Sequence, residues 1–139
     1  MSLHTRVSNL TLAVLILLPA AAQNKNDLIA RGRYLAEDVG RCQDCHTPQL
    51  ESGGLDRSKW MKGAVLTFQP IQPVKNWHKT SPDLTSTSRL WQKWGEQAML
   101  KYLQTGLNPK GTPADPPMPA YKFNQADAEA VLEYMKSLK

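Results

Sequence analysis

Leu28, Gly32, Leu35 and Val39 recur at i, i+4, i+7 and i+11, which is one face of a helix, and Asn26–Asp27 stand before them as an N-cap. Gly32 on that face either admits a closely crossing helix or is simply tolerated. Gly40 loosens the end of this helix just before Cys42. From Thr47 to Ser88 no period holds. Gly53–Gly54 and prolines at 48, 70, 73 and 82 mark a loop with at most short helical or extended pieces. A second helix fits Glu96 to Thr105, with Gly95 as N-cap, Gly106 at C′, Met99, Leu100 and Leu103 inward and Tyr102 on the flank. Residues 107–123 are a proline-rich loop. The last helix is capped by Asn124, carries Asp127 at N3, and turns Val131, Leu132, Met135 and Leu138 inward. No repeat, second domain or strand pattern is visible. Three helices joined by long loops bury little by themselves, and a loop of this length in a compact domain needs a centre other than polypeptide.

Residues 1–22 read as an address rather than as part of that fold. His4 and Arg6 precede an apolar stretch from Leu10 to Leu18, which is followed by Pro19 and Ala20–Ala22, the pattern of a secretory signal peptide cleaved near Ala22–Gln23. An uncleaved anchor is the rival, but a bilayer span needs about 20 apolar residues, and this run is shorter and broken by Pro19. The remaining 23–139 form one domain. Export places both cysteines of the chain in an oxidising, periplasmic setting, where free thiols are a liability unless paired, metal-bound or capped.

With 41% hydrophobic and 21% charged residues, the 139-residue chain is neither disordered nor a multi-span membrane protein. Its net charge of +5 becomes 16 − 12 = +4 without Arg6, and no basic block or aromatic-interleaved stripe points to nucleic acid.

Cys42-Gln43-Asp44-Cys45-His46 has the C-x-x-C-H form of a c-type haem attachment site. Two thiols three residues apart on a helical turn reach both vinyl groups of one porphyrin, and the adjacent imidazole falls under the iron. Capture as thioethers also resolves the exported-thiol problem. Two alternatives remain on the residues alone. One is a thioredoxin-like C-x-x-C, which wants alternating strands and helices; the other is half a zinc site, for which only His78 is at hand.

With the Gly32–Leu35 helix leading into Cys42–His46, the long loop, the Gly95–Gly106 helix, the Pro117-Met118-Pro119-Ala120-Tyr121 segment and the final helix, the mature chain resembles the class I, single-haem cytochromes c. It looks particularly like the haem modules that serve bacterial periplasmic dehydrogenases and oxidases. The resemblance implies an all-α fold, with three main helices and long loops wrapped around one covalent haem c. It also implies Met118 as the second axial ligand opposite His46, since proline neighbours stiffen that loop. Met61, Met99, Met135 and His78 are the competing ligands. Trp60, Trp77, Trp91, Trp94 and Tyr121 are candidate crevice walls, and an indole N–H there can bond a haem propionate. Family members orient the haem imidazole through a carbonyl in a short glycine–proline loop. Thr47-Pro48-Gln49-Leu50 departs from that pattern and leaves the acceptor for His46 unassigned.

The expected role is an exported one-electron carrier between periplasmic redox proteins, with a dehydrogenase as donor and an oxidase or another cytochrome as acceptor, and with membrane contact only through partners. A stable cytochrome subunit of a periplasmic dehydrogenase is the alternative. An open-site haem peroxidase or ligand sensor is more remote.

Overall fold

A computed structural model describes residues 20–139. The expected leader lies outside the described residues except for its last three, which open the first helix. Four helices and one minimal β-ladder follow in chain order: α1 Ala20–Tyr34, α2 Cys42–His46, β1 Ala64–Val65, β2 Thr80–Ser81, α3 Arg89–Thr105 and α4 Gln125–Ser137. The all-α expectation holds for the architecture.

Helix α1 starts upstream of Asn26, because Ala20–Ala22 are strong helix formers and Asn26 lies exposed on the running helix rather than capping it. The α-helical pattern stops at Tyr34, and the helical run loosens before it ends at its C-cap, Gly40. It widens into a π-turn over Leu35–Val39, closed by Gly40 N–H donating to the Leu35 carbonyl at 2.7 Å. Gly40 itself stays right-handed, and the chain breaks at Arg41, whose φ of 53° swings it into α2. The side chain of Arg41 is held by Asp44 at 2.9 Å.

Gly32 does admit a crossing helix. A Cβ there would lie 1.8 Å from the Ala130 carbonyl oxygen and 2.9 Å from Tyr134 Cβ, so α1 and α4 touch backbone to backbone. Ala130 is fully buried on the facing side of α4, where its small side chain allows that approach. Arg31–Asp127, at 3.0 Å, adds an exposed ion pair across the crossing, and such pairs are worth little. Below it, Leu35, Met61, Trp91, Leu103, Val131 and Met135 form the core.

Helix α3 begins earlier than the sequence pattern predicts. Ser88 Oγ accepts the Trp91 N–H, and a turn over residues 89–94 precedes Gly95, whose φ of 73° and ψ of 170° kink the element. Leu90, Trp91 and Trp94 cover too few turns to show a period, and tertiary burial of Trp91, whose Nε1 donates to the Leu84 carbonyl at 2.8 Å, makes that turn helical. The ends expected from chemistry are found. Gly106 is left-handed at φ 71°, and Asn124 caps α4 by accepting the Asp127 N–H at 2.9 Å.

Gly32→Ala is expected to lower stability by roughly 2–3 kcal/mol in denaturant unfolding of the haem-loaded protein, since the overlap is with backbone and cannot be relieved by a rotamer. A loss below about 0.5 kcal/mol, within the range of an ordinary surface substitution, would show that the crossing is not tight.

Candidate haem site

Helix α2 places Cys42, Cys45 and His46 on one wall of a cleft of about 230 Å³. The 113–123 segment supplies another wall, bringing Met118, Tyr121 and Phe123 to the same space, while Met99 and Tyr102 from α3 and Val131 and Met135 from α4 close the back. These walls are almost wholly apolar. The five residues Cys42, Cys45, His46, Met118 and Tyr121, scattered over eighty positions of chain, therefore converge on one cleft.

His46 is only 4% exposed, and its Nδ1 lies 2.7 Å from the Pro82 carbonyl oxygen. A carbonyl only accepts, so Nδ1 carries the proton and the Nε2 lone pair is left available to a metal. Burial pushes the imidazole below its ordinary pKa, and the bond to Pro82 pulls partly the other way. The acceptor thus comes from a residue 36 positions on, across the whole central loop, and not from a turn just after the histidine. The β1–β2 ladder delivers it. Ala64 pairs with Ser81, Gly63 N–H donates to the His46 carbonyl at 2.8 Å, and Ser81 Oγ donates to the Cys45 carbonyl. Gly63, at φ 82°, runs so close to this strap that a Cβ would sit 2.7 Å from the Ser81 carbonyl oxygen.

The thiols distinguish the alternatives that the motif leaves open. Burial pushes Cys42 up to about 11, and Cys45 is also raised, by burial and then by the Asp44 charge. Redox-active C-x-x-C pairs need the opposite shift to make thiolate. Among the described residues no group of three or more His, Cys, Asp or Glu is arranged to hold a metal ion, so a zinc site finds no second half. Two thiols and an imidazole with a free Nε2 instead suit a covalently held haem, and the Met118 side chain lines the same cleft. Tyr102 OH, buried in the cleft wall without a partner, is a further donor awaiting an acceptor that the polypeptide does not supply.

Of the aromatic walls expected from sequence, Tyr121 and Trp94 line the cleft. The Tyr121 hydroxyl donates to the Gly40 carbonyl, tying the 113–123 segment to the entry of α2, and burial pushes its pKa up to about 12. Trp60 and Trp77 do not line the cleft. The Trp60 indole N–H is taken by Glu37 Oε1 at 3.2 Å and Tyr134 OH at 3.1 Å, because the α1–α4 crossing draws it to the far side of the core. Trp77 meets Phe68 edge-on at 5.9 Å within the central loop, and its buried Nε1 has no protein partner. Trp91 and Met61 pack in the core away from the cleft lining. His78 does reach the cleft, but at its rim, 58% exposed and 3.2 Å from Asp115. Sequence reasoning missed Pro82, Ser81 and Tyr102. Only Tyr102 left a signal, as a phenol one helical turn from Met99 on an otherwise apolar face.

The fold and donor set define a small helical haem protein of the covalent type. Residues 29–139 match the family described as Cytochrome c, and the chain belongs to that family. It accordingly carries haem c attached through the C-x-x-C-H element. It is 30% identical over 111 residues to a "Diheme cytochrome c-type" protein of Cereibacter sphaeroides, covering 76% of this chain and 34% of the relative. It is 27% identical to the "Fructose dehydrogenase cytochrome subunit" of Gluconobacter japonicus, covering 81% and 22%. With a nicotinate dehydrogenase subunit of Pseudomonas putida it shares 29% identity, covering 78% and 9%. The chain therefore spans about a third or less of each of these relatives.

Gly63→Ala is expected to displace the Ser81–Pro82 strap and weaken the hold on His46, costing about 1–3 kcal/mol of stability. Proton NMR of the haem-loaded protein should show faster solvent exchange of the His46 Nδ1 proton. Unchanged exchange would mean that the strap does not depend on the close pass at Gly63.

Proposed function

We propose that residues 23–139 form an exported, periplasmic one-electron carrier, released by cleavage of the 1–22 leader. In this reading Cys42 and Cys45 make the thioether links, and His46 and Met118 are the two axial ligands. The observation that carries it is the convergence of both thiols, the imidazole and the Met118 thioether on one apolar cleft. Bound there, haem c supplies a one-electron Fe(III)/Fe(II) couple, which thioether ligation and a dry setting bias toward the reduced form.

The chain's own residues do the rest. Pro82 keeps His46 in the tautomer that leaves Nε2 free, and apolar walls from α3 and α4 exclude water. Tyr102 OH offers a hydrogen bond to a polar edge of the group. Among the competing methionines, Met99 and Met135 are integral to the packed faces of α3 and α4, whereas Met118 stands on a loop stiffened by Pro116, Pro117 and Pro119. His78 is engaged by Asp115 at the rim, which favours Met118 over it.

The partners proposed are a periplasmic dehydrogenase as donor and an oxidase or second cytochrome as acceptor. Two relatives named as dehydrogenase subunits favour a second reading, in which the chain is the stable cytochrome part of such a complex. Copurification of a flavin-, quinone- or molybdenum-bearing protein would distinguish the two. Among the described residues no helix is long and apolar enough to cross a membrane.

The haem-loaded protein should show a c-type spectrum with the weak far-red band of ferric methionine ligation. Met118→Ala should abolish that band and let the reduced protein bind carbon monoxide. Persistence of the band in that variant would remove Met118 as ligand. Ready carbon monoxide binding by the unaltered protein would replace the carrier reading with a ligand-binding one.

A further inference from the structure

Residues 57–82 carry Arg57, Lys59, Lys62, Lys75 and Lys79 and no acid. The same segment exposes Val65, Phe68, Ile71 and Val74, with Ile71 99% and Val65 73% accessible. Single apolar side chains on a surface carry no meaning, but four gathered within ten residues of one loop mark a contact surface. The loop is braced rather than slack. Phe68 rests against Trp77, Thr67 Oγ1 donates to Gln49 Oε1 at 3.2 Å, and Leu66 N–H donates to the Lys79 carbonyl at 2.8 Å. His78 N–H ties its far end to the Pro116 carbonyl at 2.8 Å. Bracing lowers the ordering cost of binding.

The charges flanking the apolar tip are largely uncompensated. Arg57 lies over the Trp60 ring at 4.0 Å and Lys59 pairs with Asp56, but Lys62, Lys75 and Lys79 have no ion-pair partner among the described residues. Asp115, the acid that meets this loop from the opposite segment, is engaged by His78 and Asn76. The base of the loop is also a wall of the haem cleft, through Leu66, His78 and Thr80.

We propose that residues 65–79 dock a protein redox partner whose complementary face is an apolar hollow rimmed by carboxylates. This rests on the electron-carrier reading. Free lysines around an apolar tip match that face in charge and character and would steer its approach. An isologous contact with a second copy would set the same lysines against each other. An anionic lipid surface also suits lysine and apolar side chains, but it would cover the cleft wall and bar exchange there, whereas a protein seated on this loop brings its own centre to that wall. The exchange makes and breaks no bond. One electron leaves the partner's reduced centre as ferric haem c becomes ferrous, and the reverse holds for an acceptor.

The test uses the haem-loaded protein on gold electrodes coated with mixed carboxylate- and methyl-terminated alkanethiols, with an ammonium-terminated layer as contrast. The unaltered protein should adsorb and exchange electrons on the mixed layer and fail to do so on the ammonium layer. Ile71→Ser with Val74→Ser, and separately Lys75→Glu with Lys79→Glu, should each cut surface coverage by about tenfold, the second more steeply at low salt. Their absorption spectra should be unchanged and their haem couples should stay reversible in solution. Equal coverage by the unaltered protein and both variants would overturn the proposal alone. So would vesicles of anionic phospholipid that sediment the unaltered protein but not the variants while electrode coverage stays equal, or a dimer by light scattering that the variants dissociate. Absence of a reversible haem couple in bulk solution would overturn the electron-carrier reading and this proposal with it.

Discussion

The hydrogen bond from His46 Nδ1 to the Pro82 carbonyl joins the two halves of the molecule. It fixes the imidazole tautomer, and it does so from beyond a central loop that would otherwise have no reason to return to α2. A neutral hydrogen bond of this kind contributes about 1 kcal/mol net to stability, so its importance is geometric. Everything that holds Pro82 in place serves it: the Ala64–Ser81 pairing, Ser81 Oγ on the Cys45 carbonyl, Gly63 N–H on the His46 carbonyl and Leu84 N–H on the Met61 carbonyl. Four residues of β-ladder in a helical protein are explained by this one task.

A second joint lies on the opposite side of the core. Tyr134 faces Gly32 at the α1–α4 crossing, and its hydroxyl donates to Glu37 Oε1, which also accepts the Trp60 indole N–H. Burial, and then the bond to Glu37, keep the phenol protonated well above its usual range. Arg33 approaches the other carboxylate oxygen at 3.4 Å. The carboxylate is thus satisfied from three sides where α1 opens into its π-turn, just before the chain turns into α2. Helix crossing and haem-binding element are therefore set by one continuous stretch, from Gly32 to His46.

These two joints hold the interior, and the tip of the central loop lies outside it. The family match begins at residue 29 and runs to the C-terminus, covering the last six residues of α1, all of α2 to α4 and the cleft between them. The central loop meets the cleft only at its base, through Leu66, His78 and Thr80, while its tip faces solvent with apolar side chains. In the proposed carrier role the interior holds the haem and the exterior meets the partner. The loop separates those tasks in space.

Local chemistry made much of this protein legible in sequence. The helical periods, the Asn124 and Gly106 caps and the Cys42–His46 element depend on neighbours within a few residues, and Met118 stands out as a ligand candidate through its proline-bound setting together with the family resemblance. The close crossing at Gly32 was visible as a choice between two meanings. What stayed hidden depended on contacts between distant residues. Trp60 and Trp77 have the composition of crevice walls, yet the crossing draws the first to Glu37 and the loop folds the second onto Phe68. The turn before Gly95 became helical because the core buries Trp91. Pro82 became the histidine's acceptor through pairing across the loop, and a backbone carbonyl carries no mark in sequence of where it will point. The sequence by itself determined the element types and the haem-binding chemistry, because those are local. Tertiary structure alone decided which residues orient, enclose and flank that chemistry, because long-range packing and hydrogen bonding choose among many chemically equivalent candidates.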